Sequence, residues 1–224
     1  NNMFNSLITA LVYEMLKFVS TQKDRDVDQM KNLRIPSVFK DYLSKVKDAD
    51  FLVDLKIATD CIEGSKAGSN AIPSSAARSA FFKTLADFLS SSFAGKLDKL
   101  NSKFFVLPDK EKEKLVNKII DSDSLVAKAL KNLITINSYQ EISSAIEELC
   151  RSVYSAPYVV VQSPRDIDED LKTDIRKHLS ETKKHSFPLF QINKNLIGGL
   201  RVFADGKSVD NSWFSKINRL SQLT

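Results

Sequence analysis

Few residues in this chain have the type and spacing that chemistry needs. Gly198-Gly199 could bring backbone N–H groups close to a phosphate, but no Lys-Ser/Thr follows the pair, and GxSxG, P-loop and GxGxxG patterns are absent. A bend or bulge, which glycine permits because it lacks Cβ, accounts for the pair. Asp166, Asp168, Glu169 and Asp170 cluster at an expected helix start, where the positive end of the helix dipole favours them without any acid/base role. His178 and His185 stand seven apart with no HExxH pattern and no nearby Cys, so metal ligation has no support. Cys61 and Cys150 belong to no CxxC and read as small buried thiols. Trp213 reads as a core or partner-facing anchor. No cofactor, metal or catalytic constellation is expected, and an enzyme is disfavoured.

The composition excludes further classes. The 224 residues carry 33 Lys+Arg against 28 Asp+Glu, with 42% hydrophobic and 27% charged residues, close to a globular average. Disorder and collagen-like fibres are excluded, and no stretch of about 18 consecutive apolar residues is present to span a bilayer. The net charge of +5 and the pI near 9.0 leave a basic nucleic-acid-binding or scaffolding adaptor as the alternative reading. Acids and bases alternate in Asp109-Lys110-Glu111-Lys112-Glu113-Lys114, however, as on a solvated helix face.

The positioning elements follow from periodicity. Phe4, Leu7, Ile8, Leu11, Val12, Met15, Phe18 and Val19 share one helical face. Ser37 is expected to cap a helix bearing Phe39, Tyr42 and Leu43, and Phe51 to Ile62 reads as another. The small and polar stretch 63–75 reads as a surface loop. Helical spacing resumes with Phe81, Leu85 and Phe88, and Gly95 is the expected stop. Leu115 to Ile120 and Leu125 to Ile134 follow, and Ser138-Tyr139-Gln140-Glu141 has the form of a capping box opening a helix that carries Ile142, Ile146 and Leu149. The 14 phenylalanines fit helix-to-helix packing.

After Pro157 the period changes. Val159-Val160-Val161 reads as a strand, Leu171, Ile175 and Leu179 as a helix, and Phe187 to Ile192 as a second strand. Leu200, Val202 and Ala204 run into Asp205-Gly206, a two-residue hairpin signal, with Val209 returning and Ser212 opening a last helix with Trp213. The expectation is an α+β protein, with an all-α helix bundle over residues 1–155 and a small α/β domain over 156–224.

The run Asn193 to Val202, with Leu196, Ile197, Gly198 and Gly199 at its centre, then Gly206, Asp210 and Ser212, resembles the signature of the F-type ATP synthase delta subunit family. In mitochondria that subunit is called the oligomycin sensitivity-conferring protein. Asn193-Lys194 replaces the family's Asp-Pro, and about Leu55 to Phe105 is longer than the family pattern. Ala10 to Glu14, Asp26 to Met30 and Ala129 to Ile134 resemble helices of the family's bundle.

The resemblance implies a non-catalytic connector, or stator, that links the head of a rotary ATP synthase to its peripheral stalk during proton-driven ATP synthesis. The implied partners are the N-terminal helices of the head's alpha subunits and a b-type stalk subunit. Leu7, Leu11 and Met15, or the Phe-rich segment from Phe81 to Phe93, are the candidate alpha-subunit contacts. The basic balance, the start at Asn1 and the divergent middle favour the mitochondrial inner membrane, matrix side, over a bacterial inner membrane.

Overall fold

The computed structural model describes residues 2–20, 29–68 and 71–209. Helix α1 (Asn5–Ser20) starts where the Asn2 side chain accepts the Phe4 N–H at 3.0 Å, while the Asn2 N–H donates to Ser65 Oγ at 2.9 Å. That second bond ties the chain's start to the end of α3 (Asp48–Lys66). Between them lies α2 (Ser37–Lys45), with Pro36 as its N-cap and Ser37 as its first helical residue, one position on from the expectation. Proline suits a helix entrance because it supplies a helical φ and lacks only a hydrogen that would go unpaired there.

The stretch expected to be a loop from 63 to 75 is shorter in fact. Helix α3 continues through Lys66 because Ser65 is buried and held by Asn2, and Ser74–Arg78 winds into a 3₁₀ turn. Helix α4 (Ala80–Phe88) is capped by Ser79, whose Oγ accepts the Phe82 N–H at 3.2 Å. A π-type turn, Leu89–Phe93, carries α4 directly into α5 (Ala94–Leu97). Gly95 therefore does not stop the helix: buried Ala94 and Leu97 on either side of it pack well enough to carry the helix through. Then follow α6 (Ser102–Phe105), α7 (Asp109–Ile119), α8 (Leu125–Ile136) and α9 (Tyr139–Tyr154). At the head of α9 the capping box is complete, with Glu141 N–H donating to Ser138 Oγ at 3.1 Å and Ser138 N–H to Glu141 Oε1 at 3.4 Å.

Four phenylalanines of α2 and α4 make one interlocked set. Phe39 meets Phe81 and Phe88 at ring separations of 5.8 and 5.7 Å, and Phe81 meets Phe82 edge-on at 5.4 Å. Offset and edge-on pairs of this kind are favoured by the ring quadrupole beyond their area burial.

From Val159 the structure is mixed. Strand β1 (Val159–Ser163) leads through α10 (Glu169–Thr182) to β2 (Leu189–Ile192), parallel to it, while β3 (Arg201–Ala204) and β4 (Lys207–Ser208) form an antiparallel hairpin. Among the described residues the sheet order is β2-β1-β3-β4. Central β1 is buried, and Val159, Val161, Ile175, Leu179, Phe190 and Val202 form the core of this part. Phe187 is the exception, because its ring belongs to the core of the helical part. The protein is thus α+β.

Candidate docking surfaces

A groove of about 1020 Å³ runs between α1 and α8, with α3 at one end. It exists because α1 spends its apolar stripe on the interior. Leu7, Ile8, Leu11, Met15 and Phe18 are buried in the bundle core, which leaves Ser6, Thr9 and Tyr13 on the outer face. Ala10 and Ala129 line it with only a methyl group apiece, which keeps the floor low. Large apolar side chains remain uncovered along it: Tyr13 is 52% exposed, Leu125 45% and Ile136 69%. Lys66, Lys128, Asn132 and Glu141 supply polar lining.

The residues expected from the sequence to meet alpha subunits do not line this groove. Leu7, Leu11 and Met15 are buried in the protein's own core, as are Phe81, Phe82, Phe88 and Phe93. Periodicity finds the apolar face that a helix buries. It does not mark a flank such as Tyr13, one or two positions off the stripe, where a second chain could lie.

A second convergence joins the helical and α/β parts. Arg176 of α10 donates from Nε to Asp98 Oδ2 at 2.9 Å and from Nη2 to Asp98 Oδ1 at 3.2 Å, and Nη2 also donates to Tyr139 Oη at 3.1 Å. Tyr139 in turn donates to Asp98 Oδ1 at 2.8 Å. Burial, more than any other cause, holds the Tyr139 phenol well above its usual range, with the Arg176 charge opposing. Lys172, one turn earlier on α10, lies 4.3 Å from the Tyr139 ring centre, and its burial pushes the ammonium pKa down.

In the α/β part, Gly198 and Gly199 both adopt positive φ, 72° and 77°, so the pair is a bend whose conformation suits residues without Cβ. The preceding Ile197 is fully exposed, and Leu196 is half-buried. Asp205 (φ 53°) and Gly206 (φ 79°) make the hairpin turn with both central residues left-handed, the type I′ geometry. Asp205 Oδ1 accepts the Tyr158 N–H at 3.0 Å. Asp210 and Ser212, the last two residues of the family motif, lie outside the described residues, as does the expected final helix.

Among the described residues no group of three or more His, Cys, Asp or Glu side chains could hold a metal. The charge run at Asp109 to Lys114 sits on α7 with acids and bases both facing solvent, and so forms no single-sign stripe.

A family model, ATP synthase delta (OSCP) subunit, matches residues 103–223, more than half of the chain, from α6 through the α/β part. No curated protein matches the chain.

Proposed function

Because the chain belongs to the ATP synthase delta (OSCP) subunit family, we propose that it is a non-catalytic stator connector of a rotary F-type ATP synthase. It joins the top of the catalytic head to the peripheral stalk, so that the head stays still while the rotor turns. The groove between α1 and α8 takes N-terminal helices of the head's alpha subunits, and the α/β part takes the end of the b-type stalk subunit. The chain works as two domains, 1–155 and 156–224, at the matrix side of the mitochondrial inner membrane. Its attachment to the membrane runs through the complex; no helix among the described residues is long and apolar enough to cross a membrane.

The observation that carries this reading is the α1–α8 groove. Exposed large apolar side chains beside a concave surface mark a docking site, and an amphipathic helix laid in a groove is a recurrent way of filling one. Tyr13, Leu125 and Ile136 offer three such anchors around one low floor. For the stalk, fully exposed Ile197 beside Gly198-Gly199 offers an anchor on the α/β part.

Affinity purification through this chain tests the proposal. Alpha and b-type subunits are expected in the captured complex. Ile136→Asp should release the alpha subunits and Ile197→Asp the stalk. An intact ATP synthase lacking the chain would overturn the reading.

A further inference from the structure

We infer that the helical and α/β parts are locked into one rigid bracket, with Arg176 as the latch. Domains joined through a short linker ordinarily move relative to each other unless something at their interface prevents it. Here the guanidinium is held from both sides. Its own part fixes it through the Pro188 carbonyl, which accepts from Nη1 at 3.3 Å, and through the rings of Phe187 and Phe190 at 4.2 and 4.8 Å. The helical part meets it with Asp98 and Tyr139, whose oxygens accept from Nε and Nη2.

Burial makes this contact selective for one orientation. The Asp98 side chain is 1% exposed and that of Arg176 12%. Rotating one part against the other would leave a buried carboxylate without its cation, a state far costlier than the loss of an exposed ion pair. The planar fork also needs its two donors aligned with the carboxylate, a demand that a point charge such as lysine does not impose.

Other contacts support the latch, one of them at the far end of α9. Tyr139 and Tyr154 mark the two ends of α9, about 22 Å apart at 1.5 Å per residue. At the Tyr154 end the His185 ring stacks on the tyrosine, 3.7 Å away and 4° from parallel. Ser102 Oγ donates to Asp166 at 3.0 Å on a third element, and Phe187 fills the core of the helical part. A hinge motion that spares one end of α9 breaks the other. The lock is a property of the isolated chain and does not depend on the connector role.

Double electron–electron resonance on the full chain tests it, with nitroxides on Lys56→Cys and Glu181→Cys, both exposed. The native thiols stay in place because both are buried. A single distance distribution is expected, as narrow as that of a reference pair within the helical part, Lys56→Cys and Lys110→Cys. Arg176→Lys, which keeps the charge and loses the fork, should broaden the first distribution at least about twofold and leave the reference pair unchanged. A broad distribution in the unaltered chain would overturn the inference, as would an unchanged width in Arg176→Lys. If Arg176→Lys unfolds and broadens both pairs, the width measured in the unaltered chain decides.

Discussion

The Tyr42 hydroxyl donates to Asp54 Oδ2 at 2.5 Å, and the same carboxylate oxygen accepts the Phe81 N–H at 3.3 Å. One buried carboxylate therefore fastens α2, α3 and the first turn of α4. Its charge also faces the positive end of the α4 dipole.

Replacing it should be costly. Asp54→Ala strands a hydroxyl and a backbone N–H inside the bundle and is expected to destabilise the chain by about 2–4 kcal/mol. Asp54→Asn keeps an acceptor and should cost less. Urea denaturation of both variants checks the order.

Docking and folding should separate along α1 and α8. Leu11→Ala, in the core, should lose about 2–5 kcal/mol of stability. Exposed Ile136→Asp should stay within about 0.5 kcal/mol of the unaltered chain, while capture of the alpha subunits falls. Thermal melts beside the affinity purification resolve the two effects.

Cys150 predicts a pH dependence. Burial, its largest cause, pushes the thiol from an ordinary 9.0 up to about 12. Above pH 9.0 the unfolded chain gives up this proton and the folded chain keeps it, so stability falls as pH rises from 9.0 toward about 12. Cys150→Ala should flatten the decline. Native thiols should also react with a disulfide reagent only after denaturant is added.

The hairpin turn should discriminate sharply among substitutions. Gly206→Ala forces a Cβ into left-handed backbone and should cost about 1–2 kcal/mol. Asp205→Asn tolerates that backbone and keeps an acceptor for the Tyr158 N–H, so it should be nearly neutral. Asp205→Ala loses both advantages. Denaturation midpoints of the three variants check this ranking.

Local features were legible in the sequence because local chemistry determines them. Ser138 and Glu141 cap each other three residues apart, Asp205-Gly206 specifies its own turn, and the change of period after Pro157 marks the first strand. Gly95 misled because packing of Ala94 and Leu97 overrides its weak helix propensity. The end of α3 was hidden for a similar reason, since Ser65 is held by Asn2 from 63 residues away. No local pattern could reveal the latch: Arg176 lies 78 residues from Asp98 and 37 from Tyr139. Likewise the groove depends on which flank of α1 its neighbours leave uncovered, and periodicity alone is blind to that.

The π-type turn at Leu89–Phe93 has a consequence for comparing chains of different length. The Ala94 N–H donates to the Leu89 carbonyl across five positions, where an ordinary α-turn spans four. Removing any one of Ser90, Ser91 or Ser92 would close this turn to regular spacing, leaving Phe81, Leu85 and Phe88 before it and Phe93, Ala94 and Leu97 after it still facing inward. A relative one residue shorter here would keep the same core, and an alignment gap within these serines would mark a change in winding with no change in architecture.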